Sequence, residues 1–425
     1  MPETNPIHLP LRLLNYRRII QILLLIGLVP AYTKGQTDSI PPLHVDTIPK
    51  VYPKQYPQED ITDAFRRWLR AGPPAPAKAP KVGKPLYSVV PAVGYTLSTG
   101  LAAIISGNVA FYTYNPDSTN LSSILASVVY TQKKQITVPI IANIWTKNNK
   151  YNIVTDWRFF KYPQDTYGLG GHTTLEDANL IDNSHIRLHQ AVLRRMRQNI
   201  YAGIGYFLDY RWNIHEAGLP DSSESDAQRY GLPEKTISSG PVVNVLYDSR
   251  KNSINADRGA FLNLLYRPSL TMMGSDNNWQ SLTLDMRTYF HFPKRSRNVL
   301  AFWNLDWLTL SGKPPYLDLP ATGWDNTNNT GRGYIQGRFR SLNMLYLETE
   351  YRMVLTRNGL LGAVVFVNGQ SFSEWPSNRF ETVAPGFGLG VRIKFNKNSN
   401  TNLGVDYGFG LNGSRGLFVN VGEVF

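Results

Sequence analysis

From Lys84 to Phe425 apolar and polar residues alternate, and the alternation is broken at intervals by Asn, Asp, Gly or Pro. A period of two is the mark of a strand with one apolar and one polar face. Sixteen such segments can be marked, beginning at 86–96 and 101–113 and closing at 341–355, 359–372, 383–396, 400–410 and 415–425. In segment 341–355, Leu345, Leu347, Tyr351, Met353 and Leu355 share one parity, and Glu348, Glu350 and Arg352 share the other. In segment 184–195, Ile186, Leu188 and Val192 oppose His185, Arg187 and His189. Nothing in 84–425 repeats with helical period over ten residues or more. The spacing allows a tilted membrane strand of roughly ten residues plus a connection for each segment. A soluble sandwich would need far fewer strands. The pattern therefore predicts an all-β fold, a 16-stranded antiparallel transmembrane β-barrel.

The connections alternate in length. Those after even-numbered strands are mostly short, as at Lys147–Asn149, Met196-Arg197 and Thr356–Asn358, whereas several odd-numbered ones are long, including 163–183, 214–235 and Ser311–Arg340. Short turns on the inner side and long loops outside are the outer-membrane barrel pattern. An even strand number then puts both strand termini on the periplasmic side. The apolar parity faces lipid and the charges face the lumen, because a charge at the bilayer midplane costs roughly 2–4 kcal/mol. Trp145, Trp157, Trp212, Trp303 and Trp307 fall near expected strand ends, where interfacial aromatics belong.

Ahead of the barrel, Arg12, Arg17 and Arg18 precede the apolar run Ile19–Val29 and then a polar stretch to Gln36. This is the layout of a signal peptide over 1–36, too short to cross a bilayer. Residues 37–83 form a proline-rich periplasmic segment, with Pro41-Pro42, Pro49, Pro53, Pro57 and Pro73-Pro74 among its breaks, and such a composition reads as a semi-rigid linker. One interruption, Asp60–Arg70, sets Ile61, Phe65, Trp68 and Leu69 on one helical face and Arg66, Arg67 and Arg70 opposite. It is either a transient amphipathic turn or a helix that docks on a membrane face or plugs a barrel mouth.

Composition sharpens this picture in three ways. The 425 residues include no cysteine, which excludes disulfides, thiolate metal sites, a cysteine nucleophile and a lipid-linked N-terminus. The 24 tyrosines, 18 phenylalanines and 9 tryptophans suit a membrane interface. The formal charge of +13 would suit nucleic acid or anionic lipid, but export makes nucleic acid an unsuitable partner.

Candidate chemistry is sparse. His185 and His189 lie about 13 Å apart along a strand, too far for one ion, and read as lumen-facing polar residues. Tyr167–Gly171 has the glycine density of a phosphate loop without its Gly-Lys-Ser/Thr ending, so it reads as a loop needing permissive backbone angles. No local cluster supports a hydrolase, and the expectation is a protein that is not an enzyme and has neither metal nor cofactor. The loop Ser311–Arg340 differs in kind, because loops that long are usually functional or disordered. It ends Thr330-Gly331-Arg332-Gly333-Tyr334-Ile335-Gln336-Gly337-Arg338-Phe339-Arg340, glycines closely spaced around one arginine. Inside a lumen that guanidinium needs an acidic or carbonyl partner, and Glu350 and Glu348 are the nearby candidates; an extracellular flap with an incidental arginine is the other reading. Phe425 closes a run with Leu417, Val419 and Val421, and reads as an interfacial aromatic closing the last strand or as a C-terminal barrel signal.

Arg332-Gly333-Tyr334, between strands eleven and twelve, resembles the Arg-Gly-Phe/Tyr signature of the sixth extracellular loop in the BamA/TamA-like assembly and secretion barrels. The likeness extends to Gly337–Arg340, to Leu347–Arg352, to Tyr247–Asn252 with Arg258-Gly259, and to the last hairpin, Val405–Gly410 with Gly416–Phe425. In that family the loop arginine folds into the lumen and pairs with acids on strands twelve and thirteen. The resemblance implies a lumen lock with Arg332 in the loop role, flanked by Gly333 and Tyr334, and Glu350 on strand twelve carrying most of the compensation. The family's Phe-x-Asp is Phe366-Val367-Asn368 here, so Asn368 can accept a hydrogen bond but adds no charge. Residues 37–83 are too few for a POTRA domain and no patatin-like domain is present, so the resemblance is to a barrel-only branch. It implies a bacterial outer-membrane location, outer-membrane lipids as neighbours, and client outer-membrane proteins or periplasmic partners. The expected function is handling of client polypeptide or lipid through a weak seam between strands one and sixteen, where Pro91 lacks a donor and Gly94 weakens the strand. The alternative is a passive or gated pore with the long loop as its constriction.

Overall fold

The computed structural model describes residues 57–70, 72, 82–219 and 223–425. The expected signal peptide, and the proline-rich segment apart from its short helix and a few flanking residues, lie outside the described residues. The alternating segments become the strands β1 (Leu86–Thr96), β2 (Gly100–Phe111), β3 (Ser122–Thr131), β4 (Ile136–Trp145), β5 (Tyr151–Lys161), β6 (Gln164–Thr166), β7 (Asn179–Arg197), β8 (Ile200–Glu216) and β9 (Thr236–Asp248). They continue as β10 (Gly259–Ser269), β11 (Trp279–His291), β12 (Val299–Gly312), β13 (Asn343–Val354), β14 (Leu361–Phe372), β15 (Ala384–Asn396), β16 (Thr401–Phe409) and β17 (Arg415–Val421). Sixteen are long and antiparallel to their neighbours in sequence; β6 is a three-residue strand on the outer end of β7, and β5 pairs directly with β7. The fold is thus the 16-stranded barrel the pattern predicts. The connections at 162–178, 217–235 and 313–342 extend one end, taken as the outer one, while the opposite end carries tight turns such as 198–199 and 397–400.

Pairing fixes which face each residue takes. Trp303 lies opposite Glu348 and Ala301 opposite Glu350, so these project together into the lumen, while Leu347, Val365, Val367, Leu389 and Val391 stand exposed on the outside. That apolar outer belt is what a transmembrane strand presents to lipid. Among the described residues no helix is long and apolar enough to cross a membrane, so the strands do the crossing. Trp303 corrects one expectation: it is fully buried and its Nε1 donates to Asp285 at 3.0 Å. Trp303 shares the lumen parity of Ala301 and Leu305, so its ring packs inside the barrel rather than at a lipid interface.

Among the described residues, one mid-strand charged group breaks the in-and-out rule. Asp306 pairs with Leu345 and Leu284, both on the outer parity, and is bonded only to Asn304 Nδ2, at 2.9 Å. A carboxyl in a mid-strand outward row carries a desolvation cost that its one amide partner does not remove. Asp306→Leu is expected to raise the midpoint of urea unfolding from lipid vesicles, with a gain of about 1–2 kcal/mol; an unchanged or lowered midpoint would contradict this assignment.

Ahead of β1, Ile61–Trp68 forms the helix α1. Asp60 caps it, accepting from the backbone N–H groups of Thr62 and Asp63, and Asp63 answers by accepting from the N–H of Asp60. The acidic side of this cap grips the inner rim. Lys397 donates to Asp63 through Nζ at 2.6 Å and to Asp60 through its backbone at 3.2 Å, and Asn358 Nδ2 donates to Glu59 at 2.7 Å. Burial pushes the Asp60 carboxyl up, but hydrogen bonds from Thr62 and the Lys397 backbone outweigh it and hold it below its usual range. The bond to Asp63 pushes the Lys397 ammonium up.

Candidate functional site: a lumen arginine and an unpaired seam

The connection 313–342 does not stand out as a flap. Its hairpin turns back into the barrel on Gly331 and Gly333, whose φ angles of 77° and 107° lie in the left-handed region. A Cβ at Gly333 would stand 2.6 Å from the carbonyl oxygen of Phe409, so only glycine lets the hairpin lie on β16. Tyr334 completes the seat: its hydroxyl donates to Pro385 O at 2.6 Å and accepts from Leu411 N at 3.0 Å.

This seat puts Arg332 in the middle of the lumen, 1% exposed. Its Nη2 donates to Glu348 and, at 2.5 Å, to Glu350, and its Nη1 donates to Asp406 at 2.7 Å. The guanidinium carbon lies over Phe366, 3.7 Å from the ring centre, a cation–π contact that burial strengthens. Glu350 also accepts from Arg352 Nε at 2.6 Å, and Asp406 also accepts from Arg392. Arg392 Nε in turn donates to Glu423 at 2.7 Å. Three guanidiniums and four carboxylates therefore form one buried network, with Tyr346 donating its hydroxyl to Glu348.

Two expectations need correction. Glu350 does not carry most of the compensation: it shares Arg332 with Glu348 and Asp406 and divides its own oxygens with Arg352. Asn368 does not accept from the guanidinium but donates through Nδ2 to the backbone oxygen of Arg332 at 2.9 Å, leaving its own Oδ1 without a partner. The charge that Asn368 cannot supply comes from Asp406 on β16. Asp406 was legible as the one acid at lumen parity between Gly404 and Gly408, and Arg392 as the first base following Gly386, Gly388 and Gly390 on β15. His185 and His189 also converge unexpectedly, each donating from Nε2, at 2.8 and 2.7 Å, to one of the two oxygens of buried Asp209.

The outer end is roofed by its loops. Leu169, Ile181, Ile214, Tyr230, Tyr316 and Leu319 pack together, and Arg340 donates to the carbonyl oxygens of Tyr316 and Leu319. The glycine run at 167–171 serves this roof: Gly168 and Gly170 take φ of 92° and 101°, and Gly171 N donates to Glu374.

The barrel is not zipped shut. β1 pairs with β2 and β17 with β16, but no strand ladder joins β1 to β17. They touch at the outer end, where a Cβ on Gly416 would stand 2.3 Å from Leu97. Further in, Leu86, Tyr87, Val89 and Val90 are exposed on both parities among the described residues. Behind the outer half of the seam lies a cavity of about 210 Å³, walled by Thr96, Tyr162, Trp324, Arg332, Tyr334 and Phe418.

Phe425 explains the short last strand, and its position is a further correction. It is not an interfacial aromatic at the end of β17. Gly422, at φ 101°, turns the chain inward, and Phe425 is buried against Trp303 and Tyr289 with ring centres 5.2 and 6.3 Å away. Its carbonyl oxygen accepts from Arg352 Nη2 at 2.7 Å.

No family model and no curated protein matches the sequence. Among solved structures, BamA from Haemophilus ducreyi lacking POTRA domains 1-3 superposes with a TM-score of 0.54 and 13% identity, over 80% of this chain and 70% of that one. The chain has the BamA-type barrel fold. CdiB from Acinetobacter baumannii aligns at 14% identity and TM-score 0.49 over 80% of this chain and 60% of its own, and CdiB from Escherichia coli at 9% and 0.49 over 80% and 68%. A BamA-type barrel of antiparallel strands with an apolar belt is an outer-membrane architecture, and the outer membrane is where this chain belongs.

Proposed function

We propose that this BamA-type barrel handles client polypeptide or lipid at the outer membrane, without catalysis, through the β1–β17 seam. The observation that carries the reading is the missing ladder. Unpaired N–H and C=O groups on two facing edges are a template for an incoming strand, and in lipid such groups are costly enough to favour any partner that pairs them. Pro91 and Gly94 in β1, and the inward turn after Val421, keep the two edges from satisfying one another. The cavity behind the seam gives a client side chain or acyl chain somewhere to enter. Partners on this reading are outer-membrane lipids and client outer-membrane proteins, with nucleic acid excluded by the compartment. A passive pore fits less well, because the roof and the Arg332 hairpin occupy the path through the lumen.

The test exploits the absence of cysteine. A Leu97→Cys, Gly416→Cys pair lies where the two edges meet and can be crosslinked without competing thiols. In a depletion strain of the native host, the crosslinked form is expected to leave outer-membrane protein or lipid composition as disturbed as depletion alone, and reduction to restore it. A crosslinked barrel that rescues fully, or an envelope unaltered by depletion, would sink the seam reading. Steady conductance in planar bilayers without any client would favour the pore.

A further inference from the structure

Helix α1 is held by one side only. Glu59, Asp60 and Asp63 all turn toward the barrel rim, bound to Asn358 and Lys397. The other sides carry Phe65, Trp68 and Leu69, which are 56%, 75% and 55% exposed, together with exposed Arg66, Arg67 and Arg70. Phe65 and Trp68 stack on each other at 5.7 Å between ring centres, forming a small aromatic plate with no barrel residue over it. The turns that hold the helix are the ends of lipid-facing strands. Lys397 follows Phe395, which is exposed on the outward parity of β15 with Val391 and Leu389. The aromatic plate is therefore fixed at the level where the apolar belt gives way to the periplasm.

We propose that α1 docks on the periplasmic leaflet of the outer membrane, with Phe65, Trp68 and Leu69 entering the headgroup–acyl boundary and Arg66 and Arg70 meeting anionic phospholipid headgroups. The face and the cations are those of an interfacial helix, and Trp and Arg are suited to that depth because each has an apolar body and a polar tip. The segregation of charge argues for the same occupant. Asp60 and Asp63 are taken up by the rim and Glu59 by the rim and Arg67, which leaves Arg66 and Arg70 as exposed cations complementary to a negative lipid surface. Eight residues do not make a stable helix alone in water, so the rim contacts and the bilayer share the work of holding it. The docking would set where the chain preceding β1 leaves the membrane surface. It does not depend on the seam reading.

The experiment uses the full chain refolded into vesicles of phosphatidylethanolamine and phosphatidylglycerol, with nitroxide labels on single cysteines introduced as Trp68→Cys, Phe65→Cys or Arg66→Cys. A label at Leu389→Cys reports that the barrel has folded and marks the lipid reference. Labels at 65 and 68 are expected to collide with dissolved oxygen several-fold more than with a water-soluble nickel complex, as at 389, and the label at 66 to show the reverse. Replacing phosphatidylglycerol by phosphatidylcholine is expected to raise nickel access at 68. A label at 68 as open to nickel as the one at 66 overturns the proposal. So does a label at 68 that becomes shielded only when soluble periplasmic proteins are added, which would assign the face to a protein. Unchanged access on removing the anionic lipid overturns the role of the arginines.

Discussion

Arg332→Ala is expected to destabilise the barrel by about 3–5 kcal/mol, the range for removing one member of a buried charge network. Two terms add. Glu348, Glu350 and Asp406 lose the cation they share, and the hairpin loses its stacking on Phe366. The visible signs would be a lower temperature for loss of the compact form in semi-native electrophoresis and new protease cleavage between residues 323 and 340. Arg332→Lys should recover little, since a single ammonium cannot reach three carboxylates through a planar fork. Adding Glu348→Gln to Arg332→Ala should recover part of the loss by removing one stranded charge. An Arg332→Ala barrel with unchanged melting and an intact loop would show that the network is not what holds the hairpin.

Phe425→Ala is expected to cost about 3–5 kcal/mol, as for other large aromatic truncations in packed interiors. The ring fills space between Trp303 and Tyr289, and its loss leaves a gap among side chains anchored on rigid strands. Deleting residues 423–425 should cost more, because Arg392 then loses Glu423 and Arg352 loses the carbonyl at 425. Refolding from urea into lipid vesicles separates this packing role from any part the residue has in assembly inside the cell. Unfolding midpoints within experimental error of the parent, for both the point variant and the deletion, would show that the inward tail is not a structural element.

The barrel was legible because membrane strands leave little freedom: parity, turn residues and loop alternation all report the same constraint, that charges go in and apolar groups go out. Boundaries followed where a turn had strong chemistry, as at β9, found at Thr236–Asp248 against an expected 236–248. They failed where a loop supplied the pairing. Strand β7 starts at Asn179 rather than near 184 because β6, part of a long connection, hydrogen-bonds to its outer end. The lumen site was half legible. Loop length and glycine spacing pointed to Arg332, but its partners depend on which of sixteen strands surround the lumen at one depth. Alternation along a strand does not report depth, so Asp406 and Arg392 could be placed inside without being placed beside Arg332. The inward turn of Phe425 was illegible for a different reason: Leu417, Val419 and Val421 continue the strand pattern to its end, and only Gly422 marks the departure.

Glu350 is held by both Arg332 and Arg352, and Asp406 by both Arg332 and Arg392, while Arg352 and Arg392 hold the tail that ends the last strand. The long loop and the edge of the seam are thus two ligands of one set of charges. Reciprocity follows from thermodynamic linkage: whatever loosens the tail weakens the grip on the hairpin, and whatever lifts the hairpin loosens the tail by the same factor. A strand edge drawn into the membrane would be sensed at the outer surface, and contact with the loop from outside the cell would be felt at the seam.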